Sequence, residues 1–293
     1  MLKTKLTNKI GVIVDSFGVG VREGLVKAKQ VGADGVQIYA VRGEWSPENL
    51  SPTARKEWKA YIESLGLDIS ALVGDLGGHG FQDPSQNPSK VEKSKRILDL
   101  ALEMGTNVVT THIGIVPHDT SSEMYAAMHD ACEQLSDYAH QMGAYFAIET
   151  GPERSNELKQ FLDSLSSKGV AVNYDPANFV MVTGDDPVQG VYTLKDYIVH
   201  THAKDGVKYA DIDPRDVYGQ FGYTNGDDKI EQLLAEGNIF KEVPLGQGAV
   251  NWEGYLQALV DIGYKGYLTI EREVGADPAA DIQLAVDFLK QYK

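Results

Sequence analysis

The sequence is poor in cysteine and in basic residues. Cys132 is the only cysteine among 293 residues, so no internal disulfide can form and a reducing compartment is expected. It lies in a helical pattern, which predicts a buried apolar side chain rather than a reactive thiol. The 27 lysines and arginines face 42 aspartates and glutamates, and the resulting formal charge of −15 opposes binding to nucleic acid phosphates.

Long apolar runs are also missing. No stretch approaches the ~20 apolar residues that a membrane-spanning helix needs. Residues 1–8 are polar and lack the apolar centre of a signal peptide. We therefore expect a cytoplasmic protein that binds neither nucleic acid nor membranes.

What the sequence does contain is a unit that repeats along the chain. A helical stretch ends at a glycine and a short apolar run follows, as in Gly105-Thr-Asn-Val-Val and Gly143-Ala-Tyr-Phe-Ala-Ile. A glycine just past a helix takes the left-handed conformation at no steric cost, and a run rich in valine and isoleucine is typical of a buried strand. The eight predicted strands are Ile10–Val14, Gly35–Tyr39, Ile69–Val73, Val108–Thr111, Phe146–Ile148, Ala171–Asn173, Ile198–Thr201 and Leu268–Ile270. Helices are predicted at Thr53–Ser64, Val91–Glu103, Ser122–Gln141, Asn156–Ser166 and Ala279–Gln291.

Alternating strands and helices imply parallel pairing, because neighbouring parallel strands need a crossover connection. Eight such units favour an α/β fold in which one domain, residues 1–293, forms a closed (β/α)8 TIM barrel. An open doubly wound sheet is the alternative. A long insertion at about 206–250 separates strands 7 and 8 and holds a short helical piece near Ile230–Ala235. An insertion of that length is a candidate lid, or else a passive decoration or an oligomer contact.

Four successive strands end in an ionisable residue directly after an apolar run. These residues are Glu149 on strand 5, Asp175 on strand 6, His202 on strand 7 and Glu271 on strand 8. The carboxyl ends of barrel strands share one mouth, so these groups are expected to converge. Three carboxylates packed together would repel and raise each other's pKa values, and one divalent cation removes that penalty. The donor set favours Mn2+, with Mg2+, Co2+ or Zn2+ as alternatives.

An ion-pair network without a metal is the other interpretation of these strand ends, with Lys204, Arg272 and His200 as partners. His200 and His202 point to the same side of strand 7, because side chains alternate along a strand. His202 lies nearer the mouth and is the predicted ligand. His200 is then either its supporting partner or a core residue.

Two more histidines, His79 and His112, follow other strands. Each either touches substrate hydroxyl groups or makes a structural hydrogen bond in its loop.

Five motifs carry a resemblance to a known family. They are Ile148-Glu149-Thr-Gly-Pro-Glu153, Asn173-Tyr-Asp175-Pro-Ala-Asn178, His200-Thr-His202-Ala-Lys204-Asp205, Pro244-Leu-Gly-Gln-Gly248 and Thr269-Ile-Glu271-Arg-Glu273. Over nearly its whole length the chain resembles the sugar phosphate isomerases/epimerases of the xylose isomerase-like TIM barrels. In the ketose 3-epimerases of that group, Glu, Asp, His and Glu at the ends of strands 5 to 8 hold the metal, which implies the same role for the four strand-end residues here. The resemblance further implies that Glu149 and Glu271 are catalytic, one removing a proton beside a carbonyl and the other returning it.

The substrate-binding positions depart from those epimerases. Asn178 stands where they have a histidine, and Lys208 stands where they have an arginine. Ser155 replaces an expected glutamate, although Glu153 lies close by. The metal ligands therefore match while the groups that grip the substrate differ. The candidate substrate-binding residues are His79, His112, Glu153, Asn178, Lys204 and Lys208.

These features predict a metal-dependent isomerase or epimerase that acts on a small sugar or sugar derivative through an enediolate. The sequence is compatible with a homo-oligomer but does not determine the oligomeric state. The alternative is a metal-dependent lyase or dehydratase on a keto-sugar, an inosose or a 3-oxo-glycoside, with Lys204 or His79 as the acid. Both reactions begin with removal of a proton beside a carbonyl. A DNA-repair endonuclease on a related barrel would need more metal-binding histidines and a basic surface, which the charge of −15 opposes. A binding protein without catalysis is the remaining alternative.

Overall fold

The structure, a computed structural model, describes residues 5–224 and 228–293. It has ten strands within those residues: β1 (Ile10–Ile13), β2 (Gly35–Tyr39), β3 (Asp68–Val73), β4 (Val108–Thr111), β5 (Tyr145–Glu149), β6 (Val170–Tyr174), β7 (Ile198–Ala203), β8 (Asp205–Lys208), β9 (Phe240–Val243) and β10 (Leu268–Ile270). Strands β1 to β7 and β10 are parallel and close into a barrel, in which β10 pairs with both β7 and β1. The predicted (β/α)8 barrel is confirmed, and the open sheet is wrong.

Helices connect the barrel strands and pack around them. They are α1 (Val21–Val31), α2 (Pro52–Ser64), α3 (Asn87–Met104), α4 (Glu123–Met142), α5 (Ser155–Asp163), α6 (Pro176–Asn178), α7 (Pro187–Thr193), α8 (Pro214–Tyr218), α9 (Asp228–Ala235), α10 (Trp252–Asp261) and α11 (Pro278–Lys290). Gly105 and Gly143 follow α3 and α4 with φ of 96° and 69°, so these helices end as the sequence predicts. Short 3-10 turns follow β1 and β2, and a π-helical turn, 179–183, follows α6.

The five predicted helices are all present, and their ends differ from the expected ones by a few residues. The largest difference is α3, which begins at Asn87 rather than Val91. Pro88 stands at the second helical position, where proline costs no hydrogen bond and fits the helical backbone. The polar first turn of α3 lacks the apolar periodicity on which the prediction depends.

The segment between β7 and β10 has its own small sheet. Strand β8 follows β7 almost directly, and it pairs antiparallel with β9, which lies more than 30 residues later. The short helices α8 and α9 lie between these two strands. The helical piece near 230–235 is therefore present as α9, but the β8–β9 pair was not predicted. Such short strands have weak local signals, and their pairing is a long-range contact.

Cys132 lies on α4 and is fully buried in the apolar core, as expected. Within the residues that the structure describes, no helix is both long enough and apolar enough to cross a membrane.

Candidate metal centre

Four buried side chains meet at the carboxyl end of the barrel. Glu149 is the last residue of β5, His202 lies near the end of β7, and Asp175 and Glu271 directly follow β6 and β10. Each offers one ligand atom, and these four atoms all lie within 4.8 Å of one another. We call these four residues the ligand cluster. The closed parallel barrel brings them together because β5, β6, β7 and β10 are successive neighbours.

His202 lies at the middle of the ligand cluster. Its Nδ1 atom is 3.2 Å from Glu271 Oε2 and 3.5 Å from Glu149 Oε2. It is also 3.9 Å from Asp175 Oδ2. Three carboxylate oxygens therefore surround one imidazole nitrogen.

Asp175 has one oxygen that the protein satisfies and one that it does not. Its Oδ1 atom accepts hydrogen bonds from the backbone N–H groups of Ala177, at 2.8 Å, and Asn178, at 3.2 Å. Its Oδ2 atom is buried and has no hydrogen-bond partner among the described residues. An unsatisfied buried oxygen costs about 1–3 kcal/mol, so native proteins rarely leave one without a partner. A cation among the four residues would satisfy this oxygen, and three carboxylates with one imidazole are suitable donors for a divalent ion.

The charges at the cluster lead to the same conclusion. Burial raises the pKa of Asp175 to about 7, with Lys204 opposing the rise and Glu149 adding to it. Burial acts in the same direction on Glu271, but Lys204 and His202 outweigh it and hold the pKa of that carboxyl well below its usual range. The protein's own cations thus compensate one carboxylate well and the other poorly. A divalent ion would favour the ionised form of all three.

A hydrogen-bond chain orients the His202 ring. Its Nε2 atom lies 3.2 Å from Gln37 Oε1, and Gln37 Nε2 donates to Thr110 Oγ1 at 2.9 Å. With the Gln37 amide fixed by Thr110, Gln37 Oε1 can accept only a proton from His202 Nε2, and in the neutral ring this would leave the Nδ1 lone pair facing the carboxylates. A metal-binding histidine needs this tautomer. Sequence reasoning missed Gln37, although a polar residue between Val36 and Ile38 in a buried strand is a usable signal.

His200 occupies a deeper layer of the barrel and is not part of the ligand cluster. Its Nδ1 atom is 2.8 Å from Asn173 Oδ1, and its Nε2 atom is 3.0 Å from Thr269 Oγ1. The Asn173 amide lies in turn 3.2 Å from His202 Nε2 and 3.4 Å from Glu149 Oε2. Of the two roles left open for His200, a supporting partner beneath the cluster fits these contacts.

A cavity of about 660 Å3 opens above the cluster. Four of the six candidate substrate-binding residues line it: His112, Glu153, Asn178 and Lys204. The volume is in the range of small-molecule sites.

His112 and Asn178 flank Glu149 in this cavity. Asn178 Nδ2 donates to Glu149 Oε1 at 3.1 Å, and His112 Nε2 lies 3.8 Å from the same oxygen. Asp75 holds the other nitrogen of His112 at 3.0 Å. Burial alone would lower the pKa of His112, but the carboxylates of Glu149 and Asp75 outweigh it and raise that pKa to about 9.

Lys204 and Glu153 are buried charged residues on the cavity wall. Lys204 Nζ lies 3.1 Å from Glu271 Oε2 and also contacts Glu273. Glu153 Oε1 accepts the backbone N–H of Val116 at 2.6 Å, and burial raises the pKa of Glu153 to about 7. Of the residues considered as ion-pair partners of the cluster in place of a metal, Lys204 does pair with it, through Glu271. Arg272 pairs with Glu242 and Asp281 instead of the ligand cluster.

The structure does not bring His79 and Lys208 into the cavity. His79 is exposed in a turn, and its ring centroid lies 6.4 Å from that of Phe221. Lys208 Nζ donates to the carbonyl of Val182 at 3.0 Å and pairs with Asp211 at 2.9 Å. The substrate contacts expected of these two residues therefore find no support in the lining of this cavity and stay predictions. Position along the chain after a strand does not determine which way a loop side chain turns.

Part of the 206–250 segment forms a wall of the cavity. Val217 and Tyr218 on α8 and Phe240 on β9 line it. The Tyr218 ring lies 6.1 Å from that of His112, and a Cβ atom at Gly151 would collide with the Tyr218 hydroxyl. Glycine at position 151 therefore lets this segment pack against the loop after β5.

Known proteins share this architecture. The family model described as "xylose isomerase-like TIM barrel" matches residues 25–292. A xylose isomerase domain protein from Planctomyces limnophilus is 25% identical, with a TM-score of 0.76 over 99% of this chain and 97% of that one. A D-tagatose 3-epimerase-like protein is 20% identical, with a TM-score of 0.71 over 97% and 96%. An inosose dehydratase from Lacticaseibacillus casei is 25% identical over 56% of this chain and 51% of its own length.

The likeness at 20% identity extends to the fold alone, and the chain spans about half of the dehydratase. The family model, by contrast, covers all the barrel strands after β1 together with the four residues of the ligand cluster. The chain belongs to the xylose isomerase-like TIM barrel family.

Proposed function

We propose that the protein is a divalent-metal-dependent isomerase or epimerase of a sugar or sugar derivative. The observation that carries the proposal is the position of Glu149 and Glu271 in one cluster. They come from β5 and β10, between which β6 and β7 lie, so they reach the cavity from two sides. Two carboxylates on either side of one carbon can remove a proton from one face and return one to the other.

Glu149, Asp175, His202 and Glu271 would hold the ion, with Mn2+ the favoured metal for this carboxylate-rich set. When bound, a divalent ion supplies Lewis-acid polarisation of a carbonyl. Gln37 keeps the His202 ring in the ligating tautomer.

The two glutamates each have an oxygen on the cluster side and one left for protons. Oε2 of both residues faces His202. Glu149 Oε1 faces Asn178 and His112 in the cavity, where it is placed to take a proton from the carbon beside a carbonyl. Lys204 holds Glu271 by its Oε2, which leaves Glu271 Oε1 to return a proton from the other side. The intermediate between the two transfers is an enediolate, and inversion follows when the proton returns to the opposite face.

A second candidate is a dehydratase or other lyase on a keto-sugar. Lys204 favours it, because a buried ammonium group beside Glu271 can give a proton to a departing hydroxyl. The partial likeness to an inosose dehydratase also supports this second candidate function. His79, the other candidate for this acid, does not line the cavity, so Lys204 is the better placed of the two.

The test is exchange of substrate hydrogen in deuterated water, with Mn2+-loaded enzyme and a panel of keto-sugars. An epimerase incorporates deuterium into a product of the same composition, whereas a dehydratase releases water. We expect Glu149→Gln and Glu271→Gln each to slow exchange by about 10²–10⁴-fold, since an amide cannot accept the proton. The control is Glu63→Gln, which changes an exposed glutamate on α2. If both cavity variants exchange as fast as wild type, the proposal is wrong.

A further inference from the structure

The cavity above the ligand cluster is acidic. Asp75, Glu242 and Glu273 line it in addition to Glu149 and Glu271. The described lining residues include two lysines and no arginine. Of these, Lys204 is held by Glu271 and Glu273, and Lys241 is exposed. His112, whose pKa is raised, also lines the cavity, but Asp75 and Glu149 already face its two ring nitrogens. The three carboxylates of the cluster also more than neutralise a divalent ion. A phosphate or carboxylate on the substrate would therefore meet like charge here.

One turn near this mouth whose amides could bind an anion already holds a carboxylate. Barrels that bind phosphorylated substrates often use the loops after strands 7 and 8 and a helix N-terminus there. In this chain one turn of the loop after the seventh barrel strand leads into α10, and the carboxylate of Asp205 fills it. Asp205 accepts the N–H groups of Gly246 at 2.9 Å and Gly248 at 3.1 Å, and the indole N–H of Trp252 at 2.8 Å. The protein thus supplies its own anion at this turn.

One wall of the cavity is apolar. Met181 and Val182 from the turn after α6 line it together with Val217 from α8 and Phe240 from β9. These residues belong to one packed group, because that turn contacts α8, β8 and β9. At about 30 Å3 for each water-sized group, a cavity of 660 Å3 holds roughly twenty such groups, more than a single hexose contains.

We propose that the cavity takes an uncharged sugar that carries an apolar substituent, such as a keto-glycoside with an aromatic aglycone, and that it rejects sugar phosphates and sugar acids. This inference depends on the proposed function, since it places the reacting keto-sugar at the ligand cluster. The substituent lies against Met181, Val182, Val217 and Phe240.

The experiment compares deuterium exchange by Mn2+-loaded enzyme across matched compounds. The uncharged set is D-fructose, D-psicose and the methyl and phenyl 3-keto-glucosides; the charged set is fructose 6-phosphate and 2-keto-gluconate. We expect kcat/KM for the best uncharged compound to exceed that for either charged one by at least about a hundredfold. We expect the phenyl glycoside to exceed the methyl glycoside by roughly tenfold.

The outcomes separate this inference from the proposed function. Exchange that is as fast with a charged compound as with the uncharged ones overturns the inference and leaves the function standing. Equal rates for the methyl and phenyl glycosides overturn the role of the apolar wall. No exchange with any compound contradicts the proposed function, and the inference falls with it.

Variants of the wall provide a second measurement. Phe240→Leu and Val217→Ala, which keep an apolar side chain in place, are expected to reduce the preference for phenyl over methyl severalfold. The control is Leu284→Ala, which changes an exposed residue on α11. A phenyl preference that is unchanged in both wall variants would place the substituent elsewhere and overturn this part of the inference.

Discussion

His202 and His200 lie two residues apart on β7, and each is 1% exposed, yet they sit in different electrostatic surroundings. Three carboxylates face His202, whereas His200 contacts the neutral groups of Asn173 and Thr269. Burial alone would lower the pKa of His202, but Glu271 and Glu149 raise it well above its ordinary value. Burial lowers the pKa of His200 well below that value, and His202 adds to the effect.

The difference shows that the position of a histidine along β7 determines whether it faces the charged groups of the ligand cluster or the neutral groups beneath them. The upper layer, which contains the ligand cluster, holds three carboxylates whose negative charge a cation would compensate. The lower layer is a neutral network whose Asn173 amide reaches up to His202 and Glu149. Residue type and burial are the same in both layers, so the neighbouring strands decide the role of each histidine.

The strongest test of this comparison between the two histidines is the replacement of His202. We expect His202→Ala to weaken Mn2+ binding by more than about a hundredfold, because loss of a ligand exceeds the 10–100-fold effect of an outer partner. Calorimetric titration of metal-free protein measures the affinity. Wild type should also gain thermal stability from Mn2+, and the variant should not. Equal Mn2+ affinity in the two proteins would mean that His202 is not a ligand.

Glu153 is a buried carboxyl outside the ligand cluster, where no metal would compensate its charge. Burial raises the pKa of Glu153 from 4.5 to about 7, so the folded state holds this proton more tightly than the unfolded state does. The free energy of unfolding therefore contains a contribution that falls as pH rises from about 4.5 to about 7. We expect Glu153→Gln to be about 2 kcal/mol more stable than wild type at pH 8 and similar to it at pH 4.

Urea unfolding at several pH values measures this difference, with Glu63→Gln as the control for loss of one surface charge. An equal pH dependence in wild type and Glu153→Gln would show that Glu153 titrates as an ordinary carboxyl.

The smallest expected effect concerns the lower layer. His200→Leu removes the group that holds Asn173, and we expect Mn2+ affinity to fall by about tenfold through the freed amide. His200→Gln can still donate to Asn173 and should restore part of the affinity. If His200→Leu binds Mn2+ as tightly as wild type, the two layers are independent.

Much of the fold could be predicted because its signals are local. Six of the eight barrel strands are short apolar runs that follow a glycine, and the run at 108–111 has the predicted bounds. The β8–β9 pair could not be predicted in this way, because its two strands are far apart in the chain and only half buried.

The same distinction between local signals and long-range contacts applies to the residues of the candidate metal centre. The four members of the ligand cluster follow from strand ends, whereas Gln37 belongs to a distant strand, β2, and meets His202 only across the barrel. His79 follows a strand as His112 does, but its turn directs it toward Phe221 instead of the cavity.

By itself, the sequence determined that the chain has eight strand–helix units and that four of its strands end in groups suited to a divalent cation. These are properties of short segments, and hydrophobic period and residue chemistry express them directly. Only the tertiary structure decided which histidine faces the carboxylates, which oxygen of Asp175 lacks a partner and which candidate residues line the cavity. Those outcomes depend on the closure of the barrel, which places side chains from distant segments within a few ångströms of one another.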